Sequence, residues 1–113
     1  MLLQRVQHGA RELTARDALR LATRGGAAVL GRDDVGMLAT GMAADIAGWR
    51  IDAPEFAGGA ASDPVAALVF CRAPNAELVI VNGRVRVSGG ALVDFDYARH
   101  VRDHNEISRA LLA

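Results

Sequence analysis

The sequence lacks the features that define several large classes of protein. It has one cysteine, Cys71, inside an apolar run, which excludes an internal disulfide framework and fits a reducing compartment. Its 13 Lys and Arg balance 13 Asp and Glu, so no broad basic surface is predicted for nucleic acid. No apolar run approaches the ~20 residues of a membrane helix, and the first nine residues lack the pattern of a secretion signal. These absences predict a cytoplasmic protein with no nucleic-acid partner and no membrane segment.

The composition that remains is typical of a small folded domain. The 113 residues are 51% hydrophobic with a mean hydropathy of +0.16, which excludes a disordered chain. One core is expected at this length. A net charge of zero also favours association with other protein surfaces.

The first third of the chain has helical patterns. Apolar residues at helical spacing within residues 2–6, followed by Gly9 at a cap position, predict a short opening helix. A second helix is predicted to begin after Thr14, because Thr14 and Asp17 form a capping box with Asp in place of the usual Glu. The pair Gly25-Gly26 is predicted to end or kink that helix.

The middle of the chain contains turn formers and short apolar runs. Residues 46–51 are predicted to form the first strand, and the proline- and glycine-rich residues 53–64 a long surface loop. Two continuous apolar runs, residues 65–71 and 78–81, are predicted as strands with little exposed surface. Strands of this kind need other elements packed over their apolar faces, and the predicted helices are only weakly amphipathic. Exposed strand edges and apolar patches are therefore expected to favour dimerisation or aggregation.

The last third is predicted to contain a hairpin and a helix. Asn82-Gly83 favours a tight hairpin turn, and residues 91–93 can pair back as a further short strand. Asp94 or Asp96 is predicted to cap a final helix that ends near Leu112. The predicted buried positions of this helix include Val101, Ile107 and Leu111.

Few residues suggest chemistry. His100 and His104 lie four apart on the predicted final helix and could share a metal ion, but the Glu of the metalloprotease helix and a third ligand are both missing. A solvated helix face is therefore the favoured interpretation. His8 suits a helix C-terminus better than a metal, and Asp33-Asp34 suits a turn better than acid–base catalysis. The sequence supports no catalytic residue, no cofactor-binding residue and no metal ligand.

An ordered set of motifs resembles one enzyme family. Residues 13–36 resemble the last barrel helix of amidohydrolase-superfamily enzymes, and Gly41-Met42-Ala43-Ala44-Asp45 resembles the Gly-Lys-Ala-Ala-Asp turn that follows it. Residues 63–70 and 79–84 resemble the strands after that turn. The chain is thus similar to the C-terminal segment of aminohydrolases of the 8-oxoguanine deaminase, guanine deaminase and triazine hydrolase type.

The resemblance implies an α+β fold in three parts. Residues 1–36 would be the last helical part of a TIM-barrel amidohydrolase. Residues 37–93 would form part of a composite antiparallel β-sandwich, and residues 94–113 a C-terminal helix. The family binds zinc or iron through a His-x-His pair, two further histidines and an aspartate, and none of these has a counterpart here. No cofactor is therefore expected on this chain.

Two functions of different classes remain open. The first is the C-terminal part of a metal-dependent hydrolase of non-peptide carbon–nitrogen bonds, acting on a purine-like or triazine-like ring, with the catalytic residues missing from this chain. Its partner would be a missing N-terminal barrel portion or a second copy of the chain. The alternative is a non-enzymatic interaction module that pairs through an exposed sheet edge.

Overall fold

The N-terminal helical segment begins as the sequence predicts. The computed structural model describes residues 6–7, 9, 12–71 and 75–112, so His8 and most of the predicted opening helix lie outside the described residues. Helix α1 spans Ala15–Arg20, and Thr14 precedes it with extended backbone. The Asp17 amide donates to the Thr14 hydroxyl at 3.2 Å, and the Thr14 amide donates to Asp17 Oδ2 at 3.1 Å. The capping box is therefore confirmed.

The helix continues where a break was predicted. A π-helical turn, Leu21–Gly25, joins α1 to helix α2, Gly26–Val29, so the prediction that Gly25-Gly26 ends the helix is wrong, and the alternative of a kink stays a prediction. Both glycines keep right-handed helical backbone. The Thr23 hydroxyl donates to the Leu19 carbonyl at 2.8 Å, and this back-bonding accompanies the wider turn.

A four-stranded antiparallel sheet follows in the order β1-β2-β3-β4. Its strands are Ile46–Gly48, Leu78–Val81, Arg84–Ser88 and Ala91–Leu92. Asn82 and Gly83, between β2 and β3, have φ of 48° and 74°, as a tight hairpin turn requires. The hairpin prediction is confirmed. A bulge in the β2–β3 pairing offsets Ile80, which pairs with Val85.

The predicted strand over residues 65–71 is wrong, because this segment is helical. Helix α4 spans Pro64–Phe70, and the side chain of Asp63 accepts hydrogen bonds from the amides of Val65 and Ala66 at 3.0 and 3.1 Å. Asp63 is thus an N-cap and Pro64 the first helical residue, a combination that favours helix over strand. The apolar run alone could not distinguish the two.

The predicted surface loop over residues 53–64 also contains structure. A 3-10 helix, Pro54–Phe56, and helix α3, Gly59–Ser62, lie within it. Phe56 is fully buried. The other buried apolar residues among those described are Ala15, Ala27 and Ala67. The described residues therefore form a core with only one large side chain.

Helix α5 spans Tyr97–Leu112 and lies outside this core. The amide of Arg99 donates to Asp96 Oδ1 at 2.9 Å, which confirms Asp96 as the cap. The predicted burial of three of its residues is wrong in this structure, since Val101, Ile107 and Leu111 are 52, 59 and 81% exposed. No other element covers α5 within the described residues.

The fold is α+β, as predicted, but it is open. The Cα radius of gyration is 18.2 Å. A compact domain of this length has a radius of gyration of about 13 Å. Helix α1 packs against α4, and each strand pairs with its neighbours in the sheet. Many large apolar side chains of the described residues therefore stay exposed.

Candidate functional site

The described structure contains an apolar groove between α1 and β1. Its volume is about 440 Å³. The residues that line it come from α1, the π-helical turn, the segment before β1, β1 itself, the residue after β1 and α4: Leu19, Thr23, Gly36, Met37, Leu38, Asp45, Ile46, Ala47, Trp49 and Leu68. We call this surface the α1–β1 groove.

Gly36 determines how closely the groove wall approaches the helix. Its φ is +90°, and a Cβ there would lie 3.0 Å from the Ala27 Cβ and 3.0 Å from the Thr23 carbonyl oxygen. Only glycine combines that backbone conformation with that approach. The segment carrying Met37 and Leu38 is thereby held against the helical segment, with Leu38 72% exposed.

The groove is lined mainly by apolar side chains. Asp45 is the only charged residue among those that line it, and its Oδ1 accepts the Asn82 amide at 2.7 Å. The amide of Gly83 donates to the Ala44 carbonyl at 3.1 Å. Asp45 therefore joins the start of β1 to the β2–β3 turn, and the groove presents apolar side chains rather than a nucleophile with its base.

An ion pair fixes α1 against α4. The Arg16 guanidinium donates to both carboxylate oxygens of Asp63, at 2.7 and 3.3 Å. This hydrogen bond, followed by those from the amides of Ala66 and Val65, lowers the pKa of Asp63 from its ordinary value. Asp63 thus caps α4 and holds α1 with one side chain, a role that the sequence reading missed although Asp63-Pro64 is a helix-start signal.

The adjacent carboxylates Asp33 and Asp34 lie beside Arg32 in the segment that follows α2. Arg32 donates to both oxygens of Asp34 at 2.8 and 2.6 Å, and this hydrogen bonding lowers the pKa of Asp34. A carboxylate with a lowered pKa is a poor proton donor or acceptor near neutrality. The interpretation of this pair as turn residues rather than acid–base groups stays a prediction.

The histidine pair lies on one face of α5, as its spacing predicts. The ring centroids of His100 and His104 are 6.2 Å apart with planes at 27°. Cys71 is a half-buried free thiol. Over residues 6–7, 9, 12–71 and 75–112, no cluster of three or more His, Cys, Asp or Glu could hold a metal ion.

Comparison with known sequences identifies the class of protein. The sequence profile of the Amidohydrolase family matches residues 3–87. The chain therefore belongs to the amidohydrolase family, and the resemblance stated from its motifs is confirmed. The 8-oxoguanine deaminase of Pseudomonas aeruginosa strain PAO1 is 42% identical over 113 residues, which cover 100% of this chain and 25% of the deaminase.

Solved structures of the family share this fold. The atrazine chlorohydrolase TrzN of Arthrobacter aurescens TC1, complexed with zinc, matches with a TM-score of 0.76 and 43% identity over 83% of this chain and 20% of its own. An adenosine deaminase of Xanthomonas campestris with bound zinc matches with a TM-score of 0.86 and 26% identity over 99% of this chain and 26% of its own. The chain spans about a quarter of the length of the 8-oxoguanine deaminase.

The zinc of these relatives does not fit the described residues. Zinc in such enzymes needs at least three protein ligands, and the part of the chain that the structure describes offers no such cluster. No helix in the described ranges has the length and apolar content needed to cross a membrane.

Proposed function

We propose that this chain is the C-terminal part of a metal-dependent aminohydrolase and supplies structure rather than catalytic groups. The observation that carries the proposal is the match along its whole length to a quarter of the 8-oxoguanine deaminase. The helical segment from α1 to α2 would be the last barrel helix, and the sheet would be part of the composite β-sandwich. Zinc would be held by the barrel.

The substrate class follows from the relatives. Their names refer to 8-oxoguanine, adenosine and atrazine, which are nitrogen heterocycles that carry an exocyclic leaving group. We therefore propose hydrolytic removal of such a group from a purine-like or triazine-like ring. The reaction would take place in the barrel, at a site to which the described residues contribute no ligand.

The burial pattern supports a covered position for the α1–β1 groove. Leu38 and Met37 are 72 and 41% exposed beside Trp49, and the described core holds only one large side chain. An apolar surface of this kind is stabilised when another part of a protein covers it. The proposed cover is the barrel portion of an amidohydrolase, on the same or on another chain.

The alternative of an interaction module has less support from the sheet. Its two outer strands, β1 and β4, have three and two residues. Edges this short offer few backbone groups to a pairing strand. A partner that docks into the α1–β1 groove would cover more apolar surface than one that pairs with either edge of the sheet.

A chimera tests the proposal. The matching quarter of the Pseudomonas aeruginosa 8-oxoguanine deaminase is replaced by this chain, and deamination of 8-oxoguanine and zinc content are measured. The chimera is expected to keep both, whereas the chain alone with zinc is expected to show no turnover. A soluble, zinc-loaded chimera without activity, or turnover by the chain alone, would contradict the proposal.

A groove variant in the same chimera tests the proposed cover. Leu38→Asp places a charge in the α1–β1 groove and is expected to reduce soluble, active enzyme, because a buried unpaired carboxylate is costly. Leu112→Asp, at the exposed end of α5, is the matched control and is expected to behave like the unchanged chimera. Trp49 is the one tryptophan that this chain contributes to the chimera, and its fluorescence shifts to shorter wavelength when the groove is covered.

A further inference from the structure

The turn between β2 and β3 brings two reactive groups together at the surface. Asn82 and Gly83 are both exposed, and a Cβ on Gly83 would meet no atom within 4 Å beyond its chain neighbours. The side-chain amide of Asn82 takes part in no hydrogen bond with the described residues. A free carboxamide therefore lies next to a main-chain nitrogen that no side chain shields.

These two groups can react with each other to form a cyclic imide. The main-chain nitrogen of Gly83 attacks the Cγ of Asn82, and the bond from Cγ to the side-chain nitrogen breaks. The proton of the Gly83 amide passes to the departing nitrogen, which leaves as ammonia. Water then opens the imide at either carbonyl carbon and gives an aspartate or an isoaspartate. Water is consumed and ammonia is released, so the reaction needs no oxidant and no cofactor.

The closed turn holds the two groups apart. The φ angles of Asn82 and Gly83 are 48° and 74°, and positive φ at both central residues defines a type I′ turn. In this turn the Cβ of the first central residue points away from the next main-chain nitrogen across the Cα–C bond. The Asn82 Cγ can therefore reach the Gly83 nitrogen only after the turn opens.

Two hydrogen bonds to the segment before β1 keep the turn closed. The Asn82 amide donates to Asp45 Oδ1 at 2.7 Å, and the Gly83 amide donates to the Ala44 carbonyl at 3.1 Å. The second bond also engages the attacking nitrogen itself. Formation of the imide is much slower than the opening and closing of a hairpin, so its rate follows the population of the open turn.

We propose that Asn82 is a site of spontaneous deamidation, with the Gly83 nitrogen as the attacking group, and that Asp45 limits its rate. The isoaspartate product lengthens the main chain inside the turn that sets the pairing of Val81 with Arg84. Both products place a carboxylate next to that of Asp45, and the two repel each other. Deamidation thus loosens the link between β1 and the hairpin, at one end of the α1–β1 groove. The proposal does not depend on the proposed enzymatic function.

The test follows the mass of the full 113-residue chain and of its tryptic peptides during incubation at neutral pH. Trypsin releases residues 73–84 as one peptide that carries both Asn75 and Asn82. Asn82 is expected to be converted first, because the residue after Asn75 is an alanine, whose Cβ shields the attacking nitrogen. Aspartate and isoaspartate are both expected at position 82. Conversion of Asn75 as fast as Asn82, or aspartate as the sole product, would overturn the proposal.

Variants at Asp45 test the control of the rate by the turn. Asp45→Ala is expected to convert Asn82 about fivefold faster, as the loss of one hydrogen bond enlarges the open population. Asp45→Asn keeps an oxygen acceptor and is expected to have a smaller effect. Asp63→Ala, which weakens the start of α4 and leaves the turn intact, is the matched control and is expected to react like the unchanged chain.

Unfolding in urea removes the protection from every chain. All the variants and the unchanged chain are then expected to convert Asn82 at one common rate, faster than the folded unchanged chain. Equal rates for folded Asp45→Ala and the unchanged chain would contradict a role for Asp45. Equal acceleration by Asp63→Ala would show that global unfolding, and not opening of the turn, exposes Asn82.

Discussion

At the scale of single residues, Gly36 and Gly41 separate backbone strain from close packing. Both have positive φ, of 90° and 84°, but a Cβ at Gly36 meets Ala27 and Thr23 at 3.0 Å whereas at Gly41 it meets nothing within 4 Å. Substitution by alanine at the two positions should therefore differ in its effect on the free energy of unfolding only by the cost of overpacking, which arises at Gly36.

Gly36→Ala is expected to lower the free energy of unfolding by about 2–4 kcal/mol, the sum of left-handed strain and overpacking. Gly41→Ala is expected to lower it by only about 1–2 kcal/mol, from strain. Urea denaturation followed by Trp49 fluorescence measures both. Equal destabilisation at the two positions would show that the close approach at Gly36 relaxes at little cost.

Asp63 combines a helix cap with an ion pair, and substitutions can separate the two. Arg16→Gln removes the ion pair and keeps the cap, and Asp63→Asn also leaves an oxygen for the amides of α4. Both are expected to lower the melting temperature slightly and equally, since the pair is exposed. Asp63→Ala is expected to lower it more, because the cap is lost as well. A double-mutant cycle with Arg16→Gln measures the coupling.

The pH dependence of this ion pair has a definite sign. The folded pKa of Asp63 is lowered, so its stabilising contribution is complete above the unfolded pKa of about 4 and is lost as pH falls through the folded value. The difference in melting temperature between the unchanged chain and Arg16→Gln is expected to be constant from pH 7 to 5. It is then expected to shrink below pH 4. A difference that persisted at pH 2 would mean that Arg16 stabilises through packing instead.

At the scale of elements, Asp45 connects β1 with the β2–β3 hairpin. Asp45→Ala removes the acceptor of the Asn82 amide, a bond of 2.7 Å. Amide exchange at Asn82 is expected to accelerate about fivefold, corresponding to a net hydrogen-bond contribution of roughly 1 kcal/mol. Asp45→Asn keeps an oxygen acceptor and is expected to have a smaller effect. Unchanged exchange in Asp45→Ala would mean that the turn holds its own position.

Element types were predictable where local chemistry and apolar pattern agreed. The capping box at Thr14, the hairpin at Asn82-Gly83 and the cap at Asp96 all depend on neighbouring residues, and all three are confirmed. The strand predicted over residues 65–71 is wrong because Asp63 caps a helix that begins at Pro64, and an apolar run of this length is compatible with either element. Gly25 and Gly26 do not end the helix, because the residues on both sides of them are helical.

The candidate site was predictable only in part. The spacing of His100 and His104 placed both on one face, since helix geometry alone decides this. The α1–β1 groove joins residues from α1, β1 and α4, and its existence depends on how those elements pack. Burial of Phe56 likewise came from packing, within a stretch predicted as a surface loop.

At the scale of the whole molecule, the chain exposes much of its apolar surface. Leu21, Val29 and Leu30 are 62, 88 and 72% exposed on the helical segment, and the net charge is zero. Large exposed apolar surfaces and low net charge both promote association. The isolated chain is expected to sediment as species whose average mass rises with concentration.

Charge on the exposed surface should reverse this association. The double substitution Leu30→Asp and Leu38→Asp is expected to shift sedimentation towards the monomer. The control Glu55→Gln adds no charge to an apolar surface and is expected to leave sedimentation unchanged. A concentration-independent monomer for the unchanged chain would contradict the expectation. It would mean that the exposed residues rearrange into a core of their own.

The sequence by itself determined the family and those local elements whose caps and turns are formed by neighbouring residues. The family is recognised from the order of the motifs between residues 13 and 84. The caps and turns depend on residues close together in the chain, so they form without a distant partner. Only the tertiary structure decided burial: Phe56 became the core, the predicted core residues of α5 remained exposed, and Asp63 and Asp45 became links between elements. Burial depends on which surfaces meet, and the apolar pattern states only that a residue needs cover, not which element provides it.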